Sequence, residues 1–402
     1  AAMAPSVPRR TRRFMARPYV LLTAVLMLSP AICAAATSRL VAGPMPGHSG
    51  MRAVSLWLQT DGPAEVRIEY WPASADATPR ETQPVHLVPG ERFAVRVDIG
   101  GLVPGKSYAY RVLIDGQDAL PGESLQFHTQ PLWQRRTDPP PFRAAVGSCA
   151  FINDTPYDWP GTPFGEHFGI FDVIASRRPD LMLWLGDHVY LREADYDAPW
   201  GMDARYRQVR AYPPLQRLLR ATHHYAIWDD HDYGPNNSNR SFPLKGHSLR
   251  LFRRYWANPG YGLPETPGTF TRFSYRGVDF FLLDNRYYRH SDQAPSSPEK
   301  TMLGEAQLAW LKDALLDSRA RLKIVASGSQ MLKQASRAEG WHHFPQERSD
   351  FLDWLGQTRV EGLVFLSGDR HYTELLKRTR EDSYPLYELT CSPLTSKPRT
   401  PT

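Results

Sequence analysis

The segment 183–191 constrains this chain more than any other, because an apolar strand stops there at Gly186-Asp187 and presents a carboxylate at the edge of a sheet. Glycine lets the backbone approach an ion closely, and the two oxygens of Asp187 are able to bridge two cations. Tyr190 follows three residues later, and its phenol becomes a ligand only if a highly charged ion removes the proton. The segment therefore predicts a metal site, although a capping aspartate followed by a packing tyrosine gives the same pattern.

The same change from apolar to polar residues ends other predicted strands. Strands are predicted over 142–146, 181–185, 224–228, 278–283, 322–326 and 362–366, and helices over 166–175, 204–219, 248–256, 305–318 and 346–355. The polar segments that follow strands are Gly147-Ser148-Cys149, Gly186-Asp187, Asp229-Asp230-His231-Asp232, Asp284-Asn285-Arg286 and Gly368-Asp369-Arg370-His371. Because open α/β sheets keep their sites at the carboxyl ends of strands, this pattern predicts an α/β domain with thiol, phenol, carboxylate and imidazole groups at one end of its sheet.

Residues 37–130 show a different pattern, in which short segments alternate between apolar and polar residues. Strands are predicted over 53–58, 65–71, 93–99, 108–114 and 125–128, with Gly, Pro and Asp between them. This spacing predicts a small antiparallel β-sandwich, and the segment 102–110 resembles the turn and corner of fibronectin type III-like modules. We find no chemical constellation here, so packing or substrate shielding is the expected role. Residues 131–141, which contain Pro139-Pro140-Pro141, are predicted to be a stiff linker.

Residues 1–36 have the three zones of an export signal: arginines, an apolar run over 19–28, and the small residues Ala34-Ala35-Ala36. The apolar run is too short to span a bilayer, so no stable membrane anchor is predicted. Thr11-Arg12-Arg13-Phe14-Met15 also resembles a twin-arginine signal, which makes the twin-arginine export machinery a candidate partner beside the ordinary secretory route. A soluble protein in the periplasm or outside the cell is predicted.

Charge and cysteine content narrow the classes of function further. The formal net charge is +6, but five of the positive charges are arginines before residue 36, so the remaining chain carries about +1 and shows no basic tract for nucleic acid. Cys149 and Cys391 follow the export signal. An oxidising compartment favours a disulfide between them, whereas a bound metal would keep Cys149 as a thiolate. The sequence leaves both alternatives open.

Carboxylates able to bridge two or three cations, with Arg286 nearby for a tetrahedral anion, suit displacement at phosphorus. The motifs closely resemble the PhoD-like alkaline phosphatase/phosphodiesterase family, a branch of the calcineurin-like metallophosphoesterases. The residues that carry the resemblance are Gly147-Ser148-Cys149, Gly186-Asp187 with Tyr190, Trp228-Asp229-Asp230-His231-Asp232-Tyr233-Gly234, Asp284-Asn285-Arg286-Tyr287-Tyr288, Leu303-Gly304 with Gln307 and Trp310-Leu311, and Ser367-Gly368-Asp369-Arg370-His371. It implies a four-layer α/β/β/α metallophosphoesterase domain over 142–402, behind the fibronectin III-like sandwich.

The resemblance also implies a site of one ferric ion with calcium, and two divalent metals such as zinc or manganese are the alternative. The implied iron ligands are Cys149, Asp187 and Tyr190, and the rest of the cage is formed by Asp229, Asp230, Asn236, Asp369 and His371. The candidate catalytic residues are Asp187, Arg286, Asp369, His371 and His231. Asn237 stands where an aspartate is expected, which would weaken a calcium site if its side chain is a ligand.

A secreted, metal-dependent hydrolase of phosphate monoesters or diesters is the predicted function. The alternative is a non-catalytic exported binding module whose metal site is structural. Trp159, Tyr196 and Trp200 provide either an apolar wall for an organic leaving group or packing for the core. His223 and His224 are predicted to be packing or surface groups rather than ligands.

Overall fold

The structure, a computed structural model, describes residue 1 and residues 38–74, 77–380 and 383–401. The export signal predicted over residues 1–36 thus lies outside the described residues, apart from residue 1. The segment Thr37–Thr402 forms one compact unit. Within the described ranges, each helix is too short or too polar to cross a membrane.

Two antiparallel sheets pack face to face in the N-terminal part, as the alternating pattern predicts. Their strands are β1 (Leu40–Ser49), β2 (Val54–Thr60), β3 (Ala64–Pro72), β4 (Arg80–Glu81), β5 (Val85–Leu87), β6 (Ala94–Ile99), β7 (Ser107–Ile114), β8 (Gln117–Asp118) and β9 (Leu125–His128). One sheet has the order β1-β2-β6, and the other has β4-β3-β7-β8 with β5 on β3 and β9 on β7. Alternate residues such as Leu56 and Leu58 of β2 and Val66 and Ile68 of β3 fill the space between the sheets.

Strand β1 is not predicted by the sequence, because Gly43, Pro44, Pro46 and Gly47 read as turn residues. The structure accommodates them with shifts in register along the pairing with β2. At Gly47 a Cβ would lie 2.3 Å from the Cβ of Ala257, so glycine is needed where the sandwich meets the α/β part.

The α/β part contains nine strands and seven helices among the described residues. Its strands are β10 (Ala144–Gly147), β11 (Leu181–Leu185), β12 (His223–Ile227), β13 (Thr271–Tyr275), β14 (Val278–Leu282), β15 (Leu322–Ser327), β16 (Leu363–Ser367), β17 (Glu374–Arg380) and β18 (Ser383–Thr390). Its helices are α1 (Ile170–Ser176), α2 (Pro199–Arg210), α3 (Pro213–Ala221), α4 (Asp230–Tyr233), α5 (Lys245–Tyr255), α6 (Glu305–Asp317) and α7 (Pro345–Thr358). The strands form two sheets, β10-β11-β12 and β13-β14-β15-β16-β18-β17.

Four layers follow from where the apolar side chains point. Leu183 of β11 and Ile227 of β12 pack against Phe280 of β14 between the two sheets. The opposite face of the first sheet packs against α1, α2, α3 and α5, and the outer face of the second packs against α6 and α7. The predicted α/β/β/α architecture is confirmed. The polar strand ends, which the sequence places on one sheet, belong to two sheets packed face to face.

One predicted helix, over 204–219, is two helices in the structure. Helix α2 ends at Arg210 and α3 starts at Pro213. Pro213 and Pro214 lack the N–H that a continuing helix needs, whereas the first turn of a new helix has no use for those donors.

The sandwich and the α/β part share a buried contact. His223 of β12 lies with Nδ1 2.8 Å from the carbonyl oxygen of Gly47, and its Nε2 accepts the backbone N–H of His128 at 3.2 Å. Arg210 places its guanidinium 3.9 Å from the ring centre of Trp256 and 5.6 Å from that of Trp57 in the sandwich. The segment 131–141 has no regular secondary structure, and just before it Gln130 donates from Nε2 to the carbonyls of Ser49 and Ser274.

Candidate metal centre

Four carboxylates meet where the carboxyl ends of the two sheets come together. Asp187 follows β11, Asp229 and Asp230 follow β12, and Asp369 follows β16. Each offers an oxygen within 4.8 Å of the others. Burial and then the nearby Asp230 raise the pKa of Asp369 to about 7, and they raise the pKa of Asp187 well above its ordinary value. Carboxylates this close together in a buried site cannot all be ionised unless cations bind between them.

A thiol and a phenol stand on the other side of Asp187. Asp187 Oδ2 is 3.5 Å from Cys149 Sγ and 3.4 Å from the hydroxyl of Tyr190, which is 3.3 Å from His371 Nε2. Burial raises the pKa of both Cys149 and Tyr190, and Asp187 raises each further. Ser392 donates its hydroxyl to Cys149 Sγ at 3.1 Å, an arrangement that favours a sulfur bearing negative charge.

Asp187 therefore stands between two groups of donors. Its Oδ2 faces Cys149 and Tyr190, whereas its Oδ1 is 3.4 Å from the backbone nitrogen of His231. Asp187, Asp230 and His231 also offer ligand atoms within 4.8 Å of one another. This is the geometry expected of a carboxylate that bridges two cation positions.

The donor set fits cations on a second ground. Asp229 Oδ2 and Asp230 Oδ1 are buried and have no hydrogen-bond partner among the described residues. Buried carboxylate oxygens without a partner are costly, and hard cations such as calcium prefer oxygen ligands. Gly328 lets Asp229 reach this position, because a Cβ there would lie 2.4 Å from Asp229 Cγ.

The ligand-type side chains are aimed by unusual backbone conformations. Cys149, Asp187, Asp369 and His371 have positive φ angles of 59°, 53°, 64° and 58°. Such angles are uncommon in residues other than glycine, asparagine and aspartate, and strain of this kind is concentrated at functional sites. The imidazole of His371 is fixed as well, since Nδ1 lies 2.9 Å from the carbonyl oxygen of Lys397.

Asp232, to which the sequence gives no role, holds the ends of β11 and β12 in place through hydrogen bonds with backbone groups. Its Oδ2 accepts the backbone N–H groups of Asp187 at 2.6 Å and Asp229 at 2.9 Å. Its Oδ1 lies 2.6 Å from Nδ1 of His188. Asp229 and Asp232 form a capping box at α4, and an acidic residue three positions after a strand-end Asp is the signal that points to this role.

Arg286 does not face an open anion position. Its side chain is fully buried, its Nε donates to Asp229 Oδ1 at 2.6 Å, and Nη1 and Nη2 donate to Glu339 at 2.9 and 2.7 Å. Glu339 also lies 3.2 Å from Nη2 of the buried Arg289. The sequence gives no signal for Glu339, because it lies in a loop far from any predicted strand end.

A pocket of about 280 Å³ opens above these groups. It is lined by Trp159, Phe164, Asp187, Tyr190, His231, Asn236, Asn237, Ala338, Glu339, Asp369, Arg370, His371 and Arg399. Asn236 is exposed at the rim, and the backbone N–H of Asn237 donates to Asp230 Oδ2 at 2.7 Å. Of the three aromatic residues considered for a wall, Trp159 lines the pocket, whereas Tyr196 and Trp200 do not.

Both cysteines are free, and neither forms a disulfide in the described part of the chain. Cys391 Sγ contacts the carbonyl oxygen of Val146 at 3.3 Å, away from Asp187. His223 and His224 are buried and hydrogen-bonded to backbone carbonyls outside this centre.

Comparisons with known proteins agree with this architecture. A family model described as PhoD-like phosphatase matches residues 145–402, and one described as a domain of unknown function matches residues 37–132. Alkaline phosphatase D of Bacillus subtilis (strain 168) is 27% identical over 254 residues, which cover 51% of this chain and 43% of that protein. The match thus spans less than half of the curated relative.

Two solved structures share the fold. A structure of PhoD superposes with a TM-score of 0.75 at 19% identity and covers 90% of this chain and 78% of that chain. A purple acid phosphatase, PPD1 from yellow lupin (Lupinus luteus) seeds, superposes with a TM-score of 0.62 at 11% identity, with 88% and 64% of the two chains covered.

Proposed function

Since the chain belongs to the PhoD-like phosphatase family, we propose that it is a metal-dependent hydrolase of phosphate monoesters or diesters. The family match confirms the resemblance that the strand-end motifs predict. The observation that carries the proposal is the meeting of four carboxylates at the floor of a pocket lined by Arg370 and Arg399, where two buried carboxylate oxygens accept no hydrogen bond from the described residues.

The proposed ligands divide into two groups that share Asp187. Cys149, Tyr190 and His371 would hold one cation with Asp187 Oδ2, and the donor types favour Fe³⁺, because only a strong charge ionises a buried phenol. Asp229, Asp230, Asp369 and Asn236 would hold Ca²⁺ on the other side. Two divalent cations such as zinc or manganese are the alternative. When bound, such cations supply Lewis acidity toward phosphoryl oxygens and lower the pKa of a water.

In the proposed hydrolysis, a water oxygen loses one proton and forms a bond to phosphorus, the bond from phosphorus to the ester oxygen breaks, and the leaving oxygen takes one proton, so that no net proton is gained or lost. His231 lines the pocket beside Asp187 and is the proposed proton donor to the leaving oxygen. With Nδ1 directed to the Lys397 carbonyl, His371 presents Nε2 as an acceptor, and its pKa, lowered to about 4 by burial, keeps the ring neutral.

The two arginines are assigned different roles. Arg286 positions Asp229, because it occupies Oδ1 and leaves Oδ2 for a cation. Arg370 lines the pocket, and among the described residues the hydrogen bonds of its guanidinium are long, 3.5 Å to Asp369 Oδ2 and 3.4 Å to the Tyr372 hydroxyl. We therefore propose that Arg370 binds the phosphoryl oxygens of the substrate.

We also propose that the protein is exported to the periplasm or beyond, with the twin-arginine machinery as a candidate route. The charged, apolar and small-residue zones of residues 1–36 support this. Mass spectrometry of secreted protein should place the new N-terminus near residues 34–38, and a mature protein that still carries Arg12 would contradict it.

A chromogenic phosphomonoester and the matching diester, assayed with and without calcium, test the activity. We expect metal-dependent turnover of at least one ester, and we expect Asp187→Asn and Asp369→Asn to abolish it. A protein that binds metals but turns over neither ester would support the alternative of a binding module with a structural metal site. If Asp187→Asn stays active and fully metallated, the site has been placed wrongly.

A further inference from the structure

We propose that the pocket is built for phosphate esters whose alcohol carries a flat aromatic ring, and that Trp159 is the residue on which this ring stacks. This inference rests on the proposed function and names its substrate class. It follows from one wall of the pocket, formed by Trp159 and Phe164, which none of the chemistry at the metal centre requires.

Trp159 stands at the lip of the pocket with 53% of its surface exposed. The ring centre of Trp159 lies 6.3 Å from that of the buried Phe151, and the exposed part of the indole is apolar surface that a ligand in the pocket can cover. Its Nε1 donates to Glu193 Oε1 at 3.2 Å, so the edge of the indole is held. A ring held by its edge is ready to receive another ring without a further loss of rotamer freedom.

The loop that carries Trp159 is held in place by ion pairs to two buried arginines. The neighbouring Asp158 accepts from Arg192 at 2.8 Å, and Arg192 lies over the ring of Phe151 at 4.0 Å. Four residues before Asp158, Asp154 pairs with the buried Arg205 at 2.8 Å. These contacts join the loop to the segment after β11 and to α2, so the indole projects from a rigid base.

Aromatic rings continue from the lip to the floor. The ring centre of Phe164 lies 5.9 Å from that of Trp159, 5.7 Å from that of His371 and 6.4 Å from that of Tyr190. Phe164 therefore connects the exposed indole to the residues proposed to hold a cation. A ligand whose phosphoryl group sits at that floor has its ester oxygen directed past Phe164, and a ring attached to the alcohol reaches Trp159.

The other walls of the pocket are polar. Asn236, Asn237 and Glu339 line it with Arg370 and Arg399. A space of about 280 Å³ with a polar floor and one aromatic wall suits a ligand with a phosphoryl end and one flat aromatic group, such as the base of a nucleoside phosphate. An ester of a small aliphatic alcohol leaves the aromatic wall exposed to water.

The test compares adenosine 5′-phosphate with ribose 5-phosphate, each as the monoester and as its methyl diester. The two substrates of a pair share the same leaving alkoxide and differ in the base, so the chemistry at phosphorus is matched. We expect kcat/KM to be about tenfold to a hundredfold higher for the adenosine compound, as stacking of one base on an aromatic side chain provides. In Trp159→Ala the ratio of the two kcat/KM values should fall to about one, and Trp159→Phe should restore most of the preference.

Tyr157→Ala is the matched control, because Tyr157 lies in the same loop and is 52% exposed but does not line the pocket. It should leave the preference unchanged. Equal kcat/KM values for both sugars, or a preference that survives Trp159→Ala, would overturn the inference alone. Failure to hydrolyse any ester, the chromogenic ones included, would overturn the proposed function and this inference with it.

Discussion

Asp232 accepts the backbone N–H of Asp187 at 2.6 Å, although Asp232 does not line the pocket itself. Its two oxygens also accept the N–H groups of Asp229 and Val189, at 2.9 and 2.8 Å. A single buried carboxylate thus joins the ends of β11 and β12. It determines where two of the proposed ligands stand before any cation binds.

Asp232→Asn should weaken metal binding by on the order of 10- to 100-fold, the usual effect of losing a group that orients a ligand. The reason is that the new NH₂ group meets a backbone N–H or a histidine where an oxygen accepted before. Metal content after dialysis against a graded chelator measures the effect. Asp317→Asn, on the exposed face of α6, is the control and should bind metal normally. Unchanged affinity in Asp232→Asn would mean that the strand ends hold their own positions.

Arg286→Met should destabilise the protein by about 3–5 kcal/mol, because it leaves Asp229 buried without its cation and leaves Glu339 with Arg289 alone. Urea unfolding of the metal-free protein measures this, and adding Glu339→Gln should recover part of the loss. Arg370→Met provides the contrast: we expect nearly normal stability but a turnover lower by on the order of 10² to 10³. If Arg286→Met is stable and only Arg370→Met unfolds the protein, the two roles have been exchanged.

The stability that the largely buried, neutral His48 and His128 contribute should be lost as the pH drops from about 6.5 toward 4. The pKa of His48 is lowered from 6.5 to about 4, mainly by burial and then by Arg96, against the opposing effect of Asp98. The pKa of His128 is likewise lowered to about 4, mainly by burial and then by Arg276, against the opposing effect of Asp180. Between pH 6.5 and 4 the unfolded chain therefore binds protons at these histidines that the folded chain does not bind. Below pH 4 this lowers the free energy of unfolding by on the order of 3 kcal/mol for each histidine. The contribution of these two histidines to stability is fully present above pH 6.5.

Urea unfolding at several pH values measures this slope. His128→Phe should make the slope smaller, because it removes one of the histidines whose pKa is lowered by burial, a group that also includes His48, His223 and His224. His86→Gln should not, since the His86 side chain is 70% exposed. A slope that His128→Phe leaves unchanged would show that acid acts elsewhere.

The purified protein should be coloured if Fe³⁺ is held by Cys149 and Tyr190, because a thiolate and a phenolate donate electron density to ferric iron. The visible band should shift strongly or vanish in Tyr190→Phe, change in Cys149→Ser, and stay in the exposed control Tyr157→Phe. A mild calcium chelator should stop activity and leave the band. A colourless, active protein that contains only zinc or manganese would contradict the iron assignment, and the phosphoesterase proposal would stand.

Sequence patterns predict the strand ends well, because a buried strand and the polar residues after it are neighbours in the chain. Strand β11 is predicted residue for residue, and Asp187 follows it as expected. The direction of a long side chain is not encoded in this way. Arg286 follows a predicted strand end, yet it turns toward Glu339, which is 53 residues away in sequence. Ser392, the donor to Cys149, is likewise brought there only by the tertiary fold.

The contact between Trp57, Arg210 and Trp256 bears on whether the sandwich and the α/β part can be stable independently of each other. The two family matches, to residues 37–132 and 145–402, suggest interchangeable modules. Trp57 nevertheless belongs to the same apolar cluster as Trp256 and Met182, so the cluster is completed only when both regions are present. The two regions are therefore expected to unfold in a single cooperative transition, because removal of the sandwich would expose part of the cluster that covers the first sheet of the α/β part.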